Sequence, residues 1–232
     1  MLPDHENSPP PEPFIRPARL SKTAVSQTYT WIAPLHDTLA LMVEGKARRL
    51  GLAWAAVQNG ENVLEVAVGT GLSFKHLLNR NPNGWTEGID LTPAMLKRAT
   101  RRAARCTTEN YRLSLGDAFA LDFPDATFDL VLNSYMFDLL PVNDFITILQ
   151  EFYRVLKPGG RLVMMNMTRG TRWYNQVWEG IYRIHAPLLG GCRGVIVEPF
   201  MRKAGFENTR RDYVSQWTFP SEVVFGERAL DR

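Results

Sequence analysis

The chain has 232 residues, of which 45% are hydrophobic and 22% charged, and this suits one globular domain with a full core. Its formal net charge of +3 argues against a dedicated nucleic-acid-binding protein, which would carry a strong basic excess. The two cysteines, Cys106 and Cys192, are too far apart in sequence to indicate a zinc site or a disulfide scaffold. No signal peptide and no apolar run of membrane-spanning length is visible, so we expect a reduced, cytoplasmic enzyme.

The chain is predicted to begin with a tail and a helical segment. Residues 1–17 contain six of the fifteen prolines and few large apolar residues, a composition that predicts disorder. Apolar residues then recur at helical spacing between Ser21 and Val57, although Gly45 and Gly51 argue against one continuous helix. We therefore expect a domain over 18–232 whose first part, 18–60, is a helical cover.

Strands and helices are predicted to alternate through the rest of the chain. Strands are expected at 62–68, 85–90, 111–115, 128–133 and 161–167, with two more between 206 and 228. Helices are expected at 72–79, 93–105, 144–156 and 198–204. This alternation through short loops predicts βαβ units and a parallel sheet. The less regular insert at 168–197 is interpreted as a lid.

A glycine turn after the first predicted strand indicates a ligand site. In Glu65-x-x-x-Gly69-Thr70-Gly71 a strand enters a turn and then a helix, which lets backbone N–H groups approach a ligand. Asp90 ends the next strand, where an acid can accept hydrogen bonds from both ribose hydroxyls. A dinucleotide fingerprint would need a glycine at Phe74, so a nicotinamide-dependent oxidoreductase is the less favoured alternative. A purely structural turn is the other alternative for the glycine pair.

Five segments, in this order and spacing, resemble the class I S-adenosylmethionine (SAM)-dependent methyltransferases. They are 63–71, 88–96, 116–118, 123–129 and 154–160. The pattern Tyr29-x-x-x-Ala33-Pro34-x-x-Asp37 narrows the resemblance to the group of ubiquinone/menaquinone C-methyltransferases and bacterial phospholipid N-methyltransferases. Two residues depart from that group's pattern: His36 replaces a usual tyrosine, and Ala67 replaces a common glycine and is expected only to stiffen the strand end. The resemblance implies an α/β, Rossmann-like fold with a seven-stranded, mostly parallel sheet and an antiparallel last strand near 221–227.

The resemblance also implies SAM as cofactor, with S-adenosylhomocysteine as product. The residues it assigns to the methionine end of the site are Glu65, Gly69 and Gly71, and Ala67 and Thr70 are also expected to bind the cofactor. Asp90 would hold the ribose, and Leu91 and Met95 would flank the adenine. Asp117 and the Ala118 backbone would bind the adenine amino group, and Asn133 would close the site. Alternatives remain open here, because Leu91 and Met95 could be core residues, Asp117 a turn residue and Asp90 a helix N-terminal charge.

Methyl transfer chiefly requires positioning of the nucleophile, and a base is needed only where the nucleophile starts protonated. The candidates are Tyr29 and His36, on the predicted cover, and Tyr135 and Asp138, after the fourth strand. His36 attracts most interest because histidine titrates near neutral pH. Each could instead be a pocket wall or a structural residue.

The acceptor is expected to be a small lipophilic or amphiphilic molecule, and the first hypothesis is a phospholipid amine such as phosphatidylethanolamine. A quinone or a specialised metabolite is the alternative. An aromatic stripe of Tyr174, Trp178 and Tyr182 in the insert could form the acceptor wall, and we expect Trp178 to share a cavity with Tyr29, His36 and Tyr135. Basic residues on the helix at 93–105 could meet anionic lipid or simply be solvated, which leaves peripheral membrane contact open. No metal and no nucleic-acid partner is expected.

Overall fold

The computed structural model describes residues 15, 42–170, 175, 178 and 192–231. Tyr29, His36, Tyr174, Tyr182 and most of the predicted cover and insert therefore lie outside the described residues. Of the tail predicted to be disordered, only Ile15 is described, and it is partly buried against the core.

Seven strands form a single mixed sheet in the order β3-β2-β1-β4-β5-β7-β6. Their bounds are β1 Asn62–Val66, β2 Trp85–Asp90, β3 Tyr111–Leu115, β4 Phe128–Ser134, β5 Leu156–Met167, β6 Phe206–Gln216 and β7 Phe219–Arg228. Strands β1 to β5 pair in parallel, whereas β7 is antiparallel to both β5 and β6. The predicted seven-stranded sheet with an antiparallel last strand is thus confirmed.

Within the described ranges, the longer α-helices pack on this sheet. They are α1 at 42–55, α2 Leu72–Arg80, α3 Pro93–Ala103, α4 Phe145–Val155 and α5 Glu198–Lys203. Alternate residues of the central strands point to opposite faces, so that Leu64 packs in the cluster containing α4 and α5, while Val63 packs in the cluster containing α1. Both faces of β1 and β4 are consequently buried, as a doubly covered parallel sheet requires. Within the described residues, no helix is long and apolar enough to cross a bilayer.

The parallel strands bring their following loops together at one edge of the sheet, called here the carboxyl edge. The strand order reverses between β1 and β4, and ligands bind at such a switch point in open α/β sheets. Because β7 is antiparallel to both of its neighbours, β6 runs in the same direction as β5. The turn between β6 and β7, formed by Trp217 and Thr218, therefore lies at the carboxyl edge too.

Candidate functional site

A cavity of about 280 Å³ opens at the carboxyl edge, between the loops that follow β1 to β4 and the helix α1. It collects most of the residues to which the sequence assigned a role in the site. Those that line it are Glu65, Ala67, Gly69, Thr70, Asp90, Leu91, Met95, Asp117, Ala118 and Tyr135. Gly71, Asn133 and Asp138 do not line it.

The turn after β1 has three residues with left-handed backbone: Ala67 (φ 59°), Gly69 (φ 55°) and Gly71 (φ 81°). A Cβ added at Gly71 would lie 3.0 Å from the Cα of Ala99 in α3, so this glycine is needed for helix packing rather than for the cavity wall. Ala67 does more than stiffen the strand end, because a left-handed alanine costs about 1–2 kcal/mol. The expectation that Ala67 only stiffens the strand end is therefore wrong, because it lies in the turn after β1 with a strained backbone.

Asp90 ties two loops of the cavity together. Its Oδ2 accepts a hydrogen bond of 2.8 Å from the backbone N–H of Gly69, and its Oδ1 accepts one of 2.8 Å from the N–H of Thr92. Burial raises the pKa of this carboxyl group, while the backbone hydrogen bonds act to lower it. Each carboxylate oxygen can accept a further hydrogen bond, so the group is suited to a diol such as a ribose.

The rest of the lining near Asp90 combines polar and apolar groups. Asp117 accepts a hydrogen bond of 3.1 Å from the N–H of Phe119, which makes it a turn residue as well as part of the cavity lining. Met95 is buried, whereas Leu91 is 48% exposed. An apolar side chain that is this exposed at the cavity mouth is suited to cover a planar ligand ring.

Sequence reasoning missed a charged cluster contributed by α1. Arg48 is 2.9 Å from the carboxylate of Glu44, and both residues line the cavity beside Glu65. Burial raises the pKa of Glu44 to about 7, although the nearby guanidinium of Arg48 opposes the shift. The spacing of Glu44 and Arg48, four residues apart on a helix, is the same as that of an ordinary surface ion pair. Only the placement of α1 over the sheet reveals the cluster.

Glu65 is the most strongly perturbed of the predicted ligand residues. The residue is 2% exposed, and its Oε2 has no hydrogen-bond partner within the described part of the chain. Burial raises its pKa well above the ordinary value, and Arg48 opposes this shift. A buried carboxylate oxygen without a partner is costly and is suited to receive a donor from a ligand.

Tyr135 lines the cavity in a strained conformation. Its φ of 52° is unusual for a bulky residue, and its hydroxyl lies 2.9 Å from the Ser221 Oγ. Burial raises the pKa of the phenol well above its ordinary value, which keeps the hydroxyl protonated. Tyr135 is therefore suited to act as a wall or a hydrogen-bond donor and unsuited to act as a base.

The structure places Asp138 and Asn133 behind the cavity wall. Asp138 is fully buried, and its Oδ2 accepts a hydrogen bond of 3.2 Å from the N–H of Met167. The Asp138 carbonyl accepts one of 2.9 Å from the guanidinium of Arg193, which joins the loop after β4 to the end of the insert. Asn133 donates to the Val66 carbonyl at 3.0 Å and so links β4 to β1. These contacts favour structural roles, in place of the catalytic and cofactor-binding roles predicted from the sequence.

Trp178 of the predicted aromatic stripe does not line the cavity. Its Nε1 donates a hydrogen bond of 3.0 Å to the Thr218 Oγ1, and its ring centroid lies 5.1 Å from that of Phe219. Phe219 lies in turn 6.3 Å from Tyr135. Phe219 thus lies between Trp178 and the cavity residue Tyr135. Among the described residues, no group of three or more His, Cys, Asp or Glu side chains could hold a metal ion.

Comparison with known sequences connects this site to methyl transfer. The family described as "Methyltransferase domain" matches residues 63–160. A demethylmenaquinone methyltransferase of Listeria monocytogenes is 31% identical over 172 residues, which cover 72% of each chain.

Solved structures share the fold at lower identity. The cyclase SpnF superposes with a TM-score of 0.72 at 18% identity, covering 94% of this chain and 99% of that chain. A phosphoethanolamine N-methyltransferase of Haemonchus contortus, solved with phosphomonomethylethanolamine and S-adenosylhomocysteine, gives a TM-score of 0.63 at 15% identity and covers 80% and 53% of the two chains. At these identities the superpositions establish the Rossmann-like fold alone.

Proposed function

Because this chain belongs to the class I SAM-dependent methyltransferases, in one family with the demethylmenaquinone methyltransferases, we propose that it methylates a ring carbon of a lipophilic quinol. The single observation that carries the choice of acceptor is the identity of 31% over 72% of the chain to a relative of that name. The quinone alternative accordingly replaces the phospholipid amine that the sequence suggested first.

The polar residues of the cavity are suited to hold SAM. Arg48 offers a cation for the carboxylate of the methionine part, and the unpartnered oxygen of Glu65 can accept a hydrogen bond from its ammonium group. Asp90 is suited to the ribose hydroxyls, and Leu91 and Met95 to the faces of the adenine. When bound, SAM supplies an electrophilic methyl group.

The remaining part of the cavity lining favours an apolar ring as the acceptor. Its side chains come chiefly from the segment after β4 and include Tyr135, Met136, Leu139 and Leu140. An aromatic or aliphatic wall of this kind excludes water and holds a flat ring by packing, which leaves orientation to the few polar groups that face it. The Tyr135 side chain contributes to this wall, while its hydroxyl is hydrogen-bonded to Ser221.

Carbon methylation also requires a proton to leave the acceptor. A quinol hydroxyl loses its proton, and a ring carbon forms a bond to the methyl group as the bond from methyl to sulfur breaks. The proton on that carbon then leaves and the oxygen takes up one proton, which restores the aromatic quinol. The net products are the methylated quinol, S-adenosylhomocysteine and one proton. Glu44 is suited to accept the first proton, because a carboxylate with a pKa of about 7 is half ionised at neutral pH. His36, on the predicted cover, is the competing candidate.

A paired acceptor assay tests the proposal. The protein is incubated with radiolabelled SAM and either a demethylmenaquinol kept reduced or phosphatidylethanolamine, and the products are identified by mass spectrometry. We expect a methyl group on a ring carbon of the quinol, no product with the oxidised quinone, and none with the phospholipid. Methylation of phosphatidylethanolamine with no reaction of the quinol would overturn the proposal.

A further inference from the structure

We propose that the tip of the β6–β7 hairpin docks on an anionic lipid bilayer. The docking surface, called here the tip surface, consists of Trp217 and Thr218 together with Met42 of α1. The docking surface rests on the proposed function in one respect: a quinol with a long apolar tail would reside in a bilayer, and the protein would dock there to reach it.

The tip surface presents two large apolar side chains to solvent. Trp217 is 75% exposed and Met42 is 54% exposed. Gln216 holds them on adjoining backbone, because its Nε2 donates to the Met42 carbonyl at 2.5 Å and its Oε1 accepts from the Lys46 N–H at 2.6 Å. Scattered exposed apolar residues need no explanation. An exposed tryptophan at a hairpin tip, on backbone that Gln216 ties to an exposed methionine, is the kind of anchor that enters a membrane interface.

The tip surface lies at the same edge of the sheet as the cavity. A row of aromatic rings joins the two: Tyr135 lines the cavity, Phe219 lies 6.3 Å from it, and Trp178 lies 5.1 Å from Phe219. Trp178 also donates a hydrogen bond to Thr218 at the hairpin tip. The cavity wall and the tip surface are therefore linked by contiguous aromatic packing, with Phe219 buried between Tyr135 and Trp178.

Local charge favours an anionic surface as the partner. Exposed Lys46 lies on the β6 side of the tip, where its N–H donates to Gln216. Exposed Arg169 lies on the β5 side, since the N–H of the preceding residue, Thr168, donates to the Pro220 carbonyl at 3.0 Å. Of the described acids near the tip, Glu44 pairs with Arg48 and Glu222 is fully buried, whereas Asp212 of β6 is exposed. Cations on either side of an apolar tip suit a bilayer that contains anionic lipid.

The basic residues of α3, a second candidate for a lipid contact, lie in a different region of the fold. Helix α3 connects β2 to β3, at the opposite end of the sheet order from β7 and β6. One of its arginines, Arg102, donates to the Thr70 Oγ1 at 3.0 Å and so supports the cofactor turn. A membrane contact at the tip surface therefore does not use this cluster.

Trp217→Ala and its matched control Trp85→Ala test the proposal. Trp85 is 41% exposed, but it starts a parallel strand and so lies at the edge opposite to the tip. Sedimentation with vesicles of phosphatidylcholine, with and without phosphatidylglycerol, measures binding without any acceptor. We expect wild type and Trp85→Ala to bind the phosphatidylglycerol vesicles, and Trp217→Ala to bind them at least about tenfold more weakly, because a large apolar side chain no longer enters the interface. Lys46→Glu should weaken binding in the same direction.

Two further measurements separate this proposal from its rivals. Trp217→Ala should keep wild-type turnover on a short-tailed, water-soluble quinol and lose it on a long-tailed quinol carried in vesicles. Equal vesicle binding by the Trp217 and Trp85 variants would overturn the docking surface. A change in the mass of the protein in sedimentation without vesicles, caused by Trp217→Ala, would also overturn it, because the tip would then bind a second copy of the chain. If binding depends on Trp217 but no quinol is methylated, the proposed acceptor fails and the docking surface stands.

Discussion

Replacing Glu44 by glutamine should remove an ionisation from the reaction. Burial in the cavity wall raises the pKa of Glu44 to about 7 even though Arg48 lies 2.9 Å away. A base acts in its deprotonated form, so the ionised fraction, and with it kcat/KM, should rise about tenfold between about pH 6 and about pH 8. Glutamine keeps the size and the hydrogen bond to Arg48 but cannot accept a proton, so kcat should fall by about 10²–10⁴-fold and lose this rise.

The assay is the initial rate of methyl transfer to a reduced quinol at saturating SAM, measured across this pH range. Glu207→Gln provides the control, since Glu207 is an exposed acid on β6 outside the cavity. His36→Ala is measured in parallel because histidine also titrates near neutrality. If Glu44→Gln keeps both its rate and its pH dependence while His36→Ala loses them, the assignment of Glu44 is refuted. A loss of SAM affinity that matches the loss of kcat would place Glu44 at the cofactor instead.

Three further outcomes are expected. Asp90→Ala should weaken SAM binding by about 1.5–3 kcal/mol in calorimetry, the scale of lost hydrogen bonds to a charged group, and unchanged affinity in a folded variant would remove Asp90 from the site. Ala67→Gly should raise the free energy of unfolding by up to about 1 kcal/mol in denaturant titrations, because relief of left-handed strain exceeds the entropic cost of glycine; a loss of stability would contradict this. The pKa values of buried Asp138 and Glu222 are raised to about 7. The folded state therefore binds more protons than the unfolded chain above about pH 4, so thermal stability should fall as pH rises toward 8, and Asp138→Asn should flatten that fall.

Local patterns in the sequence were sufficient to predict the framework of this protein. Alternating strands and helices, the glycine turn ending in Gly71, and an acid at the end of the second strand predicted a parallel sheet with a ligand site at its carboxyl edge. The structure confirms the sheet and brings Glu65, Asp90 and Asp117 to one cavity. These features are predictable because strand direction and turn geometry depend on neighbours in sequence.

Which groups actually reach the cavity was decided only by the tertiary structure. Asp138 follows β4 as Tyr135 does, yet it turns inward to the Met167 N–H while Tyr135 stays in the wall. Glu44 and Arg48 have the spacing of a surface pair and become a buried cluster because the first turns of α1 lie at the carboxyl edge. A local pattern states which side chains share a face of an element. It does not state what packs against that face, and it is this packing that sets burial, pKa and access to a ligand.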